Sequence, residues 1–251
     1  MKYFLTSRPN EYREVLNDRL ILTMRKGAPT TTGDALLLAA FLPPACGRAC
    51  ELGAGSGVIS LLAAARGKLS SALLIERDAT FAALCERNVR DNGFEDTLLV
   101  RCADLRESTE CGAFDTVFAN PPYRRANDGT PAADPIADAA RYERHGTIAD
   151  FCRVGARMLT TEGRFFVVFP TRRRQELLSA LSDAGLFPER EVTVYPYPRG
   201  VSKLMLLSAG RSVSAHKKEV FTLCHTAGGS ETEAATVLYR DGILLTEGEM
   251  P

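Results

Sequence analysis

The chain has 251 residues, 45% of them hydrophobic and 25% charged, which fits a globular domain able to bury a core and excludes a disordered or fibrous chain. Lys and Arg total 31, as do Asp and Glu, so there is no whole-chain basic coat for nucleic acid or membrane; local basic patches stay open. The cysteines, at 46, 50, 85, 102, 111, 152 and 224, are odd in number and sit mostly in apolar text, which predicts free thiols rather than a disulfide framework. No second pair follows Cys46 and Cys50, and no metal site is expected. The N-terminus has no signal-type apolar run, and no stretch nears the ~20 apolar residues of a membrane span, so a soluble cytoplasmic protein is expected.

In chain order, short apolar pieces at 15–16 and 20–22 predict a small hairpin or arm. Asp34 opens an apolar run, 35–42, that reads as a helix stopped by Pro43 and Pro44. Strands are then predicted at 48–52, 72–75, 97–101 and 114–119, with helices at 58–65 and about 79–91 between them. A polar stretch runs to about 147 and is expected to be a mobile lid over 124–147. A helix at 148–160, a strand at 164–169, a helix at 173–184 and strands at 189–195 and 203–208 follow. Beyond 209, possible strands at 219–224 and 237–239 read as an extension of the sheet edge or a surface arm. Alternating strands and helices, with strands apolar on both faces, argue for a mostly parallel sheet covered on both sides.

The segment Glu51-Leu-Gly53-Ala-Gly55-Ser-Gly57 joins a strand to a helix. Glycines allow a tight turn and close backbone approach to a ligand, and the helix behind offers free N–H groups. The spacing is GxGxG rather than the dinucleotide GxGxxG, and Glu51 lies upstream, where a pyrophosphate would be repelled and a positively charged amino-acid end accepted. Glu76, ending the second parallel strand, is placed to take two ribose hydroxyls, and Asp104, after the third, to reach the amino edge of an adenine.

Asn120-Pro121-Pro122-Tyr123 closes the fourth strand, at the edge where open α/β sheets bind ligands. The prolines fix the backbone and remove two donors, leaving the Pro121 carbonyl and the Asn120 side-chain oxygen as neighbouring acceptors. Two acceptors match an –NH2 group, and Tyr123 supplies a flat face for a planar ring. The three histidines at 145, 216 and 225 are scattered and suit surface or packing roles.

The glycine loop with its acids resembles the class I S-adenosylmethionine-dependent methyltransferases, and Asn120–Tyr123 matches the motif of those that act on amino groups. The resemblance implies a Rossmann-like α/β fold with a mostly parallel seven-stranded sheet and helices on both faces. It implies S-adenosylmethionine as cofactor, S-adenosylhomocysteine as product, and direct in-line methyl transfer to an exocyclic amine. The opening from Leu20 to Phe41 is similar to that of the bacterial adenine-N6 methyltransferases of valine tRNA. Thr32-Gly33-Asp34-Ala35 stands where that family has Gly-Thr-Asp-Gly or Thr-Asp-Asp, and Ala140-Arg141-Tyr142-Glu143 where it tends to have Ala-Arg-His-Glu. It places Thr32, Asp34, Glu51, Gly53, Gly55, Gly57, Glu76, Asp104 and Asn120 at the cofactor, Asn120 to Tyr123 in catalysis, and Tyr123, Arg124, Arg141 and Arg172 at the substrate.

The implied partner is structured RNA, tRNA first, for a monomer or weak dimer with no membrane and no obligate protein partner. Guanine N2 in ribosomal RNA, adenine N6 in DNA and glutamine N5 in protein are the alternative targets, and a non-catalytic cofactor binder is the alternative class. Arginines at 124–125, 141, 144 and 172–174, with Arg211, Lys217 and Lys218, are the local candidates for phosphate contact. The expected division is an arm and first helix over 1–44, a catalytic domain over 45–209, and a C-terminal extension of that domain over 210–251.

Overall fold

The computed structural model describes residues 2–5, 10–16, 20–26, 33–125, 143 and 146–247. Strands β1 (Lys2–Leu5), β2 (Glu11–Leu16) and β3 (Leu20–Arg25) form an antiparallel sheet of their own. Helix α1 (Gly33–Phe41) leads into β4 (Arg48–Leu52), α2 (Val58–Ala65), β5 (Ser71–Glu76), α3 (Ala79–Asp91), β6 (Leu98–Cys102) and β7 (Phe114–Ala119). Then come α4 (Ile148–Met158), β8 (Leu159–Pro170), α5 (Arg174–Asp183), β9 (Phe187–Tyr195), β10 (Leu204–Gly210), β11 (Lys217–Thr222) and α6 (Glu233–Asp241).

The main sheet has eight strands in the order β11-β9-β10-β8-β7-β4-β5-β6. From β8 to β6 all neighbours are parallel, β10 is antiparallel to both β8 and β9, and β11 pairs parallel with β9. The α/β class is as expected, but the strand count of seven is corrected to eight, because Lys217–Thr222 joins the β9 edge. The 237–239 run is also corrected. It lies in α6, whose Thr232 hydroxyl caps the Ala235 N–H at 3.1 Å and whose Ala234, Ala235 and Leu238 face the core.

Successive residues of each strand face opposite layers, as the strand repeat requires. Phe166 and Val168 join Leu22, Leu38, Leu61 and Leu238 on one face, while Phe165, Val167 and Phe169 join Phe151, Cys152 and Leu177 on the other. Helices α1, α2 and α6 thus cover one side, and α4 and α5 the other. All seven cysteines are unpaired thiols. Among the described residues no helix is long and apolar enough to cross a membrane.

Local chemistry sets the element ends that matter for the site. Lys68 Nζ donates to the carbonyls of Ala39, Ala40 and Leu42 at 2.7–2.9 Å and closes α1 where the proline pair begins. Asp78 caps α3 by accepting from Thr80 and Phe81. Thr147 and Asp150 form a reciprocal cap at the start of α4. The N-terminal strands, expected as a small hairpin or arm, pair antiparallel and are held against α3. Asn88 on α3 and Asn92, which caps its C-terminus, each bond both the N–H and the C=O of a β3 residue, Thr23 and Ile21. The Asn88 amide also donates to Ser56 O at 3.0 Å, tying those strands to the glycine loop.

Candidate active site

The glycine loop folds over the end of β5. The N–H groups of Gly53 and Ala54 both donate to Ile75 O, at 2.8 and 3.0 Å. All three glycines have positive φ, but their surroundings differ. A Cβ on Gly57 would meet Cys85 Sγ at 2.6 Å, and one on Gly53 would touch the Phe151 ring at 3.4 Å. A Cβ on Gly55 would meet nothing within 4 Å. Gly57 therefore serves packing and the left-handed entry to α2, whereas Gly55 presents bare backbone to open space. Next to it Glu76 accepts from the Gly55 N–H and the Asp78 N–H, both at 2.8 Å, and burial raises its carboxyl above the ordinary value.

Glu51 is only 1% exposed and accepts from the Ser60 N–H at 3.3 Å and from the Ser60 hydroxyl. Gly57 has no side chain to cap α2, so the strand before the loop supplies the capping carboxylate. Burial pushes the Glu51 carboxyl up to about 8. Asp104 caps the turn Leu105–Glu107 and lies 2.6 Å from Arg106 and 3.3 Å from Arg77. The Arg106 guanidinium holds its carboxyl below the usual range.

At the end of β7, Pro121 is buried and Asn120, Pro122 and Tyr123 are half-buried. Among the described residues no donor reaches the Pro121 carbonyl. The Asn120 side-chain oxygen accepts from the Tyr123 hydroxyl at 2.7 Å. The Asp34 carboxyl lies beside the same hydroxyl, and burial, followed by the Asp34 charge, drives the Tyr123 phenol well above its ordinary value. The Tyr123 ring stands edge-on to Phe169, with centroids 6.3 Å apart. Asp34, expected among the cofactor residues, thus sits against the Asn120–Tyr123 segment.

Of the arginine triplet, only Arg172 is exposed. Arg173 is buried over the Phe169 ring and donates to Tyr123 O at 3.2 Å, to Glu143 at 2.7 Å and to Glu176 at 3.0 Å. Arg174 forms a two-pronged pair with Glu191, and Arg125 meets Glu176 at 3.0 Å. Arg211 is spent on the carbonyls of Ala156 and Leu159, and Lys217 on Glu219. Arg173 is thus corrected from a candidate phosphate contact to an internal partner, while Arg125, Arg211 and Lys217 remain exposed. Arg124 is exposed beside Tyr123, and its carbonyl accepts from the Glu143 N–H. Thr32, Arg141, Arg144 and most of the expected lid at 124–147 lie outside the described residues. Ser60 and Asn88 are the supporting residues that sequence reasoning missed, and Arg173 and Glu143, both picked out in the sequence, pair with each other beneath Tyr123.

A mostly parallel sheet with a ligand-facing glycine loop on one strand and an acceptor-bearing Asn-Pro-Pro-Tyr on its neighbour defines a class I methyltransferase. Residues 30–184 match the methyltransferase small domain, and the chain belongs to that family. It is an S-adenosylmethionine-dependent methyltransferase. The chain is 28% identical over 218 residues to a Shewanella amazonensis protein named tRNA1(Val) (adenine(37)-N6)-methyltransferase, covering 86% of this chain and 91% of that one. It is 26% identical over 212 residues to a Parabacteroides distasonis protein of the same name, covering 83% and 88%. Among solved structures, it resembles a predicted O-methyltransferase from Agrobacterium tumefaciens with a TM-score of 0.64 at 22% identity, covering 84% of this chain and 97% of that one. It also resembles geranyl diphosphate C-methyltransferase from Streptomyces coelicolor, in complex with S-adenosyl-L-homocysteine, with a TM-score of 0.53 at 17% identity, covering 71% and 76%. These likenesses show the fold.

The open backbone at Gly55 and the adjoining Glu76 carboxylate fit a nucleoside cofactor. Gly55→Val is expected to weaken S-adenosylhomocysteine binding by about 10²-fold, since Cβ and its methyls project into that space while a left-handed Val costs the fold only ~1–2 kcal/mol. Calorimetry measures this; native affinity in a folded variant would remove Gly55 from the cofactor site.

Proposed function

We propose that this methyltransferase acts on adenine N6 in tRNA. The observation that carries the reading is the pair of acceptors at the end of β7: the Asn120 side-chain oxygen, already holding one O–H donor, and the Pro121 carbonyl, which no described donor reaches. The curated relatives, named as tRNA1(Val) (adenine(37)-N6)-methyltransferases, supply the substrate class.

In this reading Glu76 holds the ribose hydroxyls, the loop backbone at Gly53 and Gly55 lies against the cofactor, and Gly57 shapes the turn. Glu51 braces the loop through α2 by accepting from the Ser60 N–H and hydroxyl. Asp104 takes the adenine edge by exchanging one arginine contact. S-adenosylmethionine supplies an electrophilic methyl carbon on a sulfonium. Asn120 and Pro121 accept the two hydrogens of the target amine and turn the nitrogen lone pair toward that carbon. Alignment rather than a covalent intermediate lowers the barrier. Pro122 keeps the turn rigid, and the Tyr123 hydroxyl leaves Asn120 when the amine arrives, so that the ring faces the base. A target adenine leaves its stack most cheaply from a loop. Arg124, Arg141 and Arg172 meet the surrounding phosphates, Thr32 serves the cofactor, and Asp34 stands between the cofactor and Tyr123. The stretches 1–44, 45–209 and 210–251 act as one domain, because Leu22, Leu61, Phe166 and Leu238 share one core.

The test is incubation with labelled S-adenosylmethionine and a mixture of unmodified tRNA, ribosomal RNA, DNA and soluble protein, followed by nucleoside and amino-acid analysis. N6-methyladenosine in tRNA is expected. Label confined to methylguanine or to protein glutamine would move the substrate elsewhere while leaving the cofactor site in place.

A further inference from the structure

The connection between β9 and β10 reads Pro196-Tyr-Pro-Arg-Gly-Val-Ser-Lys203. β10 starts at Leu204, opposite Pro170 at the end of β8, so this connection stands at the same sheet edge as Asn120. Only β8 separates β10 from β7, which puts the turn two strand spacings, about 10 Å, to the side of β7 and past its end, since β8 runs on from Val167, beside Ala119, to Pro170. It is tied to the turn that carries Arg172: the Thr171 N–H donates to Lys203 O at 3.0 Å, and the Thr171 and Ser202 hydroxyls lie 2.7 Å apart.

The backbone of this turn has an unusual occupant. The Gly200 N–H donates to Tyr197 O at 2.9 Å, closing a four-residue turn with Pro198 second and Arg199 third. Arg199 has φ +63°, and the third position of such a turn belongs to Gly or Asn. Asn10 is the sole other non-glycine residue with positive φ among those described. A glycine stands one residue later, where a Cβ would come within 2.9 Å of the Tyr197 oxygen. The chain thus carries an arginine where its backbone would prefer glycine, and strain of this kind gathers at functional sites. Arg199 is exposed, as are Arg172 and Lys203, and none of the three has an ion-pair partner among the described residues. In the same corner Arg173, Arg174 and Arg125 are all paired with glutamates.

We propose that the 197–200 turn is a phosphate-binding finger, in which Arg199, flanked by Arg172 and Lys203, grips the RNA backbone beside the nucleotide whose base reaches Asn120. The proposal rests on RNA being the substrate. The decisive variant is Arg199→Gly, because glycine suits the turn and the fold should lose nothing. Arg199→Asn, also tolerant of this backbone, repeats the loss of charge without the gain in chain flexibility.

Both variants are expected to keep the native melting temperature, S-adenosylhomocysteine affinity and kcat at saturating tRNA transcript. The KM for transcript should rise about 10-fold, and the slope of log binding constant against log salt should fall by about 0.7–0.9, one phosphate contact. Adding Arg172→Ala and Lys203→Ala should lower the slope by about 2.1–2.7 in all. If the native chain methylates RNA while Arg199→Gly keeps its KM and salt slope, the finger is wrong and the RNA reading stands. A fall in kcat alone would likewise overturn a phosphate contact. If the native chain methylates no RNA, the substrate reading fails, and the finger with it.

Discussion

Asn120→Ala is expected to bind S-adenosylmethionine as the native chain does and to transfer methyl groups about 10²–10³-fold more slowly. The cofactor side of the site is built from β4, the glycine loop and the end of β5, whereas Asn120 lies at the end of β7. Removing the amide deletes one of two acceptors, so the amine keeps one hydrogen ungripped and its lone pair is no longer aimed. The loss belongs in kcat, because orientation is realised in the transition state. Tyr123→Phe supplies the contrast. It frees the Asn120 oxygen from its internal donor while leaving the ring against Phe169. Turnover in that variant should stay within about threefold of native. Single-turnover rates with tRNA transcript, beside calorimetry on each variant, separate the two effects. An Asn120→Ala rate within threefold of native would remove the two-acceptor mechanism.

The sequence was most legible where neighbours along the chain decide the structure. The strand at Arg48–Leu52, the helix at Val58–Ala65 and the strand at Phe114–Ala119 lie where apolar runs and glycine stops put them. β1 escaped because four residues are too few for a period to show. Val237-Leu-Tyr239 misled because β-branched and aromatic residues favour strands, while the helical spacing of Ala234, Ala235 and Leu238 carries the buried face. The positions of the glycines and acids were visible, but their surroundings were not. Whether Gly53, Gly55 or Gly57 faces open space depends on Phe151 and Cys85, residues far along the chain. Arg172-Arg173-Arg174 is a run of identical letters, and the tight turn over Thr171–Arg173 points each in a different direction. One reaches solvent, one the core under Tyr123, and one Glu191.

Arg173 also carries the largest expected loss of stability. Its guanidinium and the Glu143 carboxylate are each about 6% exposed and 2.7 Å apart, and the same group holds Glu176 and the Tyr123 carbonyl. Arg173→Met keeps much of the side-chain volume but strands Glu143 without its cation. Breaking a buried pair from one side costs about 3–5 kcal/mol. Glu176 contributes less to this cost, because it is more exposed and retains Arg125 at 3.0 Å.

The loss should depend on pH, with a definite sign. Burial already raises the Glu143 carboxyl above its ordinary 4.5, and the Arg173 hydrogen bond pulls it back down. Without the arginine it rises further. A carboxyl raised in the folded state stabilises below its unfolded value and loses that stability as pH climbs through the folded value. The gap between native and variant should therefore be smallest near pH 4.5 and widen toward neutrality. Urea denaturation across that range measures it. Arg173→Met with Glu143→Gln, which leaves a neutral amide in place of the stranded charge, should recover more than half of the loss at pH 7.5 and flatten the pH dependence to about zero. An equal loss at every pH, unrelieved by the second substitution, would mean that packing on Phe169, rather than charge, is what Arg173 supplies.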